Sequence, residues 1–184
     1  NLGPGVNSKA NEFEPALAPD GQYLFFASDR RGPDLDALPG WTATIRKPLA
    51  DPDFDLYVAE RGSAGEPFDG VRSLGEVNRP TSHEGAPFMA PDGGFLYFAS
   101  NRPVRPGEAP NLDLFRARWS GRALGRVENL GPMINTEADE TEPGVSAEGF
   151  RLVFATNRDG KDRLYESVAR EIELHQEWDT SRLD

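Results

Sequence analysis

The sequence predicts an all-β fold of tandem propeller blades. Three observations carry that expectation: a segment that recurs three times without gaps, a glycine turn inside each copy, and a composition rich in turn formers. The 184 residues hold 19 glycines and 16 prolines, more than a helical domain tolerates, and 10% aromatics, enough to furnish a core. The chain is long enough for one domain with a sizeable interior.

The first copy runs from Glu12 through Pro15, Asp20 and Gly21 to Phe26, Ala27, Asp29 and Arg30. The second runs from Glu84 through Pro87, Asp92 and Gly93 to Phe98, Ala99, Asn101 and Arg102. The third runs from Glu140 through Pro143, Glu148 and Gly149 to Phe154, Ala155, Asn157 and Arg158. Pro15 and Pro87 lie 72 residues apart, and Pro87 and Pro143 lie 56 apart. A long insertion in the first copy accounts for most of that difference. Each copy follows a Leu-Gly pair, at Leu2, Leu74 and Leu130. Val6-Asn7 and Ile134-Asn135 keep step with those pairs, whereas Val77-Asn78 is slipped by one residue. Periodicity of this length marks stacked repeats.

Each element follows from local chemistry. Pro15–Ala18 reads as a first strand, and Asp20-Gly21 as a tight turn in which glycine supplies a positive φ. Tyr23–Ala27 is apolar on both faces, as an inner strand between stacked sheets must be. Leu56–Ala59 is a third strand, and Val71–Leu74 a more polar fourth. The third copy has Ala147-Glu148 in place of Pro-Asp but keeps Gly149, so its hairpin is expected to survive. Four short antiparallel strands per unit describe a propeller blade. The expected blades span about 8–75, 80–131 and 136–178 of one domain covering 1–184, with 1–7 as an outer strand of a neighbouring blade.

The turn at Pro19-Asp20-Gly21 followed by Leu24-Phe25-Phe26-Ala27-Ser28-Asp29-Arg30 resembles the TolB-type, WD-like β-propeller repeat of bacterial envelope proteins. The lead-in with Leu2-Gly3, Asn7 and Glu12 to Pro15 resembles the variant attached to OmpA-like envelope proteins. The resemblance spans nearly all of residues 1–168. It implies a periplasmic, envelope or secreted location and a protein or peptide partner. Propellers of this type also precede the peptidase domain of prolyl-oligopeptidase-like enzymes. A fold of this kind hosts many roles, so function must be argued from sites. Three blades are fewer than the four or so that close a ring. Further blades, or a homo-oligomer in which two chains pair to make six, would complete it.

Charge narrows the partners. Lys and Arg number 20 against 31 Asp and Glu, for a net charge of −11. That disfavours nucleic acid and anionic membrane and suits basic proteins, peptides or Ca²⁺. Without cysteine there are no disulfides or thiolate metal sites. No run is apolar enough to span a bilayer.

Candidate sites lie mainly where the repeats differ. Between Arg30 and Leu56 stand 25 residues, against 11 and 5 at the equivalent places. Within this insertion Trp41, Arg46 and Lys47 form a candidate contact surface. Asp34, Asp36, Asp51 and Asp53 are the candidate Ca²⁺ ligands. Asp51, Asp53 and Asp55 imitate the start of an EF-hand loop, but Leu56 stands where it needs glycine and Gly62 where it needs glutamate. Solvated loop charge is therefore the favoured reading, and no other cofactor is expected. Glu12, Glu84 and Glu140 would ring one end of the propeller, either as an acidic rim for a cation or basic peptide, or as acceptors of backbone N–H groups. Their recurrence in every copy favours the second role. The same holds for Arg30, Arg102 and Arg158, expected to tie blades together.

No catalytic constellation is evident. Ser146 sits in a sequence superficially like a nucleophile elbow, yet it aligns with Ala18 and Ala90 and lacks the second glycine. His83 and His175 are too few for a histidine metal site, and His83 reads as an isolated surface residue. Trp41, Trp119 and Trp178 could serve as carbohydrate-stacking platforms where exposed. The tail from Ala169 to Asp184 reads as a fourth strand for the third blade, then a linker. The leading expectation is a non-enzymatic binding module. A gating domain of a larger hydrolase is the runner-up and a peptidoglycan-binding surface the third reading.

Overall fold

A computed structural model of the chain describes residues 1–30, 54–75, 77–104 and 109–169. The structure is all-β over these residues, with eleven strands in three antiparallel sheets. The first sheet holds β1 (Glu12–Leu17), β2 (Tyr23–Ser28), β3 (Asp55–Glu60) and β4 (Asp69–Ser73) in sequential order. The second holds β5 (Glu84–Met89), β6 (Phe95–Ser100), β7 (Asp113–Trp119) and β8 (Leu124–Asn129) in the same order. The third holds β9 (Glu140–Val145), β10 (Arg151–Thr156) and β11 (Arg163–Val168). The fourth strand expected for this blade falls in the tail, outside the described residues.

The β1–β2 turn has the chemistry its sequence demands. Gly21 takes φ 68°, its N–H donates to the Ala18 carbonyl at 2.8 Å, and the Asp20 carboxylate accepts the Gln22 N–H at 2.9 Å. Gly93 and Asp92 repeat this arrangement. Gly149 keeps the positive φ and the bond to the Ser146 carbonyl, so the third hairpin closes without the aspartate.

Side chains alternate between the two faces of each sheet, and the faces of successive blades stack. Phe25, Ala27, Leu56 and Val58 of blade 1 pack with Leu96, Phe98, Phe115 and Ala117 of blade 2. Ala99, Leu112 and Leu114 of blade 2 pack with Ile134 and Phe154 of blade 3. This two-sided burial explains why the second strand of the first two copies is a continuous apolar run.

Two features differ from the sequence reading. Residues 1–7 form no strand. They make a turn in which the Gly3 carbonyl accepts the N–H groups of Val6 and Asn7, and Val6 buries itself with Leu24, Phe26 and Tyr57. The slipped Val77-Asn78 pair occupies the same turn as its counterparts, because the Leu74 carbonyl accepts both N–H groups where Gly3 and Gly131 do so in the other copies. The turn itself has the same length in each copy, and the missing residue falls just before it, where Leu74 takes the place of Gly3 and Gly131.

Candidate functional site at the inner-strand bulges

The repeated glutamate and arginine form the same buried cluster in all three blades. Arg30, Arg102 and Arg158 each place Nη2 against a carboxylate, on Glu12, Glu84 and Glu140 at 2.8, 2.9 and 3.1 Å. The same nitrogen donates to the carbonyl of Val6, Val77 or Ile134. Nε donates to the hydroxyl of Ser28, Ser100 or Thr156. Each guanidinium lies over two neighbouring rings: Phe26 and Tyr57, Phe98 and Phe115, or Phe154 and Tyr165. The second oxygen of each carboxylate accepts a backbone N–H, from Ser8, Arg79 or Thr136.

These glutamates lie within the first strands rather than before them, and Glu84 and Glu140 are fully buried. They therefore present no open acidic rim, and their geometry is that of internal supports. Burial pushes the Glu84 carboxyl up to about 7, against the opposing pull of Ser100 and Arg102. A buried ion pair of this kind fixes geometry more than it adds stability.

Two residues further along each first strand lies a feature with no glycine to announce it. Glu14, Ala86 and Glu142 adopt φ of 53°, 46° and 53°, the left-handed region that non-glycine residues seldom occupy. Each sits where the pairing register shifts, so β1, β5 and β9 carry a bulge at the same place. A backbone held this way costs on the order of 1–3 kcal/mol and persists only where the surroundings enforce it.

The bulges converge. The Ala86 N–H, turned out of its ladder, donates across the blade junction to the Glu14 carboxylate at 2.5 Å. Burial raises the Glu14 pKa; this N–H opposes the rise, and the charge of Glu142 adds to it. Glu14 is half-buried and Glu142 exposed. The site thus joins a backbone donor and two mutually repelling carboxylates from three inner strands. Such an arrangement can accept a cationic group. Sequence reasoning passed over these residues, although Glu-x-Glu-Pro in the first and third copies, at Glu12–Pro15 and Glu140–Pro143, was the signal available.

The other candidates resolve individually. Trp41, Arg46, Lys47, Asp34, Asp36, Asp51 and Asp53 lie outside the described residues, as do Trp178 and His175. Among the described residues no cluster of three metal-ligating side chains occurs. Trp119 is no stacking platform: it is buried between blades, edge-on to Tyr23 and Phe25 at 5.2 and 5.1 Å. His83 is not an isolated surface residue. Its Nδ1 accepts the Phe54 N–H of the preceding blade at 3.2 Å, as the Asp139 carboxylate accepts the Leu112 N–H at 2.9 Å. Burial lowers the His83 pKa below its ordinary value.

The stacked antiparallel blades, two of four strands and one of three among the described residues, each with an arginine over two neighbouring rings, define a β-propeller architecture, and the fold is that of the TolB type. A putative TolB from Agrobacterium tumefaciens is similar with TM-score 0.57 and 16% identity, over 88% of this chain and 47% of that one. TolB from Acinetobacter baumannii is similar with TM-score 0.53 and 15% identity, over 89% of this chain and 31% of that one. A Mycobacterium tuberculosis puromycin-hydrolyzing peptidase is similar with TM-score 0.54 and 16% identity, over 89% of this chain and 22% of that one. The chain spans less than half the length of each. No family model matches the sequence, and no curated protein matches it.

Proposed function

We propose that the chain is a non-catalytic protein- or peptide-binding propeller module of a bacterial envelope or secreted protein, with residues 1–184 acting as one domain. The observation that carries this reading is the convergence of Glu14, Ala86 and Glu142 at three register-matched bulges, with the Ala86 N–H donated to the Glu14 carboxylate. A lysine or arginine of a partner segment would relieve the repulsion between the two carboxylates. The net charge of −11 favours the same kind of partner. The envelope location rests on likeness of fold to the two TolB structures. The gating reading rests on likeness to one peptidase, which at 16% identity is also a likeness of fold.

The test is selection of peptides from a displayed library, followed by calorimetry on wild type, Glu14→Gln and Glu142→Gln. Enriched basic peptides whose affinity falls about tenfold in the variants, and falls with added salt, are expected. Affinity unchanged in both variants would refute the assignment of the site.

A further inference from the structure

We propose that the joint between blades 1 and 2 is a proton-sensitive latch, because Arg79 stands where the other two blades supply a hydroxyl to the buried glutamate. In blades 1 and 3 the residue after the lead-in asparagine is Ser8 or Thr136. Its hydroxyl donates to Oε1 of Glu12 or Glu140, at 2.6 or 2.7 Å. With the hydroxyl of Ser28 or Thr156 and the arginine Nη2, that oxygen faces three donors. In blade 2 the place after Asn78 is taken by Arg79, which offers its backbone N–H to Glu84 Oε2 but has no hydroxyl. Glu84 Oε1 therefore faces two donors, from Ser100 and Arg102. Arg102 is incomplete as well. On a side chain 10% exposed, its Nη1 is the buried polar atom without a partner among the described residues. The carboxylate is one donor short, its arginine one acceptor short, and Glu84 is 0% exposed.

A buried carboxylate so placed is harder to ionise than one with its full set of donors. Burial indeed raises the Glu84 pKa, to about 7, against the pull of Ser100 and Arg102. Three charged or titratable groups stand around it. Arg102 reaches it from the end of β6, and Arg79 from the lead-in through its N–H. The charge of Arg79 acts on Arg102 and lowers its pKa. His83, next to Glu84 in the chain, turns Nδ1 to the Phe54 N–H.

Glu84 stands on the joint itself. Its N–H donates to the Phe54 carbonyl of blade 1 at 2.8 Å, and Arg102, which it holds, grips the Val77 carbonyl of the lead-in. Just upstream the Asn78 carboxamide clamps Leu56 of blade 1, its Oδ1 accepting the N–H and its Nδ2 donating to the carbonyl, each at 2.9 Å. Asn135 clamps Leu114 of blade 2 in the same way. Arg79 and Pro80 are exposed, so this stretch can lift from the cluster while the sheets stay intact. Lifting it hydrates Glu84 and returns its carboxyl to the ordinary 4.5. The closed joint thus holds the proton more tightly than the open one. It is most firmly closed below pH 4.5, and opening becomes easier as pH rises through 7.

A carbon-13 titration of the Glu84 carboxyl, together with hydrogen exchange at the Arg79 and Glu84 amides corrected for intrinsic chemistry, tests this. The proteins are wild type, Arg79→Ser, Arg79→Ala and Glu84→Gln. In wild type the opening equilibrium at these amides should rise roughly 70-fold between pH 5 and pH 8. Arg79→Ser returns the hydroxyl, so it should lower the titration midpoint by about one to two pH units and cut the rise to below about tenfold. Arg79→Ala removes the charge without supplying a hydroxyl and should keep both the midpoint and the rise. Glu84→Gln should abolish the rise. The proposal is overturned by equal midpoints in Arg79→Ser and Arg79→Ala, or by a rise that persists in Glu84→Gln. Joint amides that exchange no faster than those of Leu96 and Phe98 in β6 would overturn it too, since no local opening would then exist.

Discussion

Replacing Arg102 by leucine should destabilise the protein by an amount that depends on pH in a particular way. Arg102 touches the Glu84 carboxylate, the Val77 carbonyl, the Ser100 hydroxyl and two rings. Loss of its hydrogen bonds alone should cost about 2–3 kcal/mol at any pH. The remainder comes from Glu84. Burial raises its folded pKa to about 7, from an ordinary 4.5. The folded state therefore holds this proton more tightly than the unfolded chain does. The stability linked to it is fully present below pH 4.5 and is lost as pH rises through 7, for a total of ~3 kcal/mol. Without Arg102, whose charge and hydrogen bond hold that pKa down, it climbs further. Wild type and variant should then lose stability in parallel up to about pH 7. Above it only the variant keeps losing, by about 1.4 kcal/mol per pH unit. Urea unfolding followed by tryptophan fluorescence measures this, since Trp119 lies between blades 1 and 2. The doubly substituted Arg102→Leu, Glu84→Gln protein should lose the slope. A difference between wild type and Arg102→Leu that is the same at pH 6 and pH 9 would refute the reasoning.

Four further outcomes are expected. Trp119→Ala should cost about 3–5 kcal/mol in thermal or urea melts, because it empties the contact with Tyr23 and Phe25 across the first junction. Asn135→Ala should cost about 2–4 kcal/mol by urea titration, since it leaves the Leu114 N–H and carbonyl without their clamp; Asn135→Asp, which keeps the acceptor, should fall between. Glu142→Gly should raise the unfolding free energy by about 1 kcal/mol or less, because glycine accepts φ 53° without strain, while weakening basic-peptide binding in calorimetry. His83 has a folded pKa below its ordinary 6.5, so its contribution to stability is lost as pH falls through that lowered value. His83→Asn should remove this acid-side loss in melts between neutral and acid pH.

The parts of the fold written in residue identity were readable, and the parts written in backbone geometry were not. Gly21, Gly93 and Gly149 announce their turns because positive φ favours glycine there. The bulges use the same region of backbone space with glutamate and alanine, so no residue type marks them. That concealment shifted attention to Glu12, Glu84 and Glu140, two positions away, whose role is internal. His83 looked isolated because its partner, the Phe54 N–H, lies 29 residues away on another blade. Residues 1–7 looked like a strand because the lead-in was read by its place before the repeat rather than by its glycine turn. Arg30, Arg102 and Arg158 read as ties between blades, but each binds its own blade and that blade's lead-in, and the two rings beneath it are spread across two strands of one sheet.

The lead-in turn also sets the grammar of the repeat. Asn78 reaches back to grip Leu56 of the blade before it, while the carbonyl of its neighbour Val77 is gripped by Arg102 of the blade that follows. The unit of sequence and the unit of structure are thus out of phase. A stretch of gene that copied one lead-in with one set of strands would carry both a hook for the blade upstream and a socket for the blade downstream. Duplication could therefore lengthen such a molecule without inventing a new joint, and segments between the second and third strands could grow, as 31–53 has, without disturbing one.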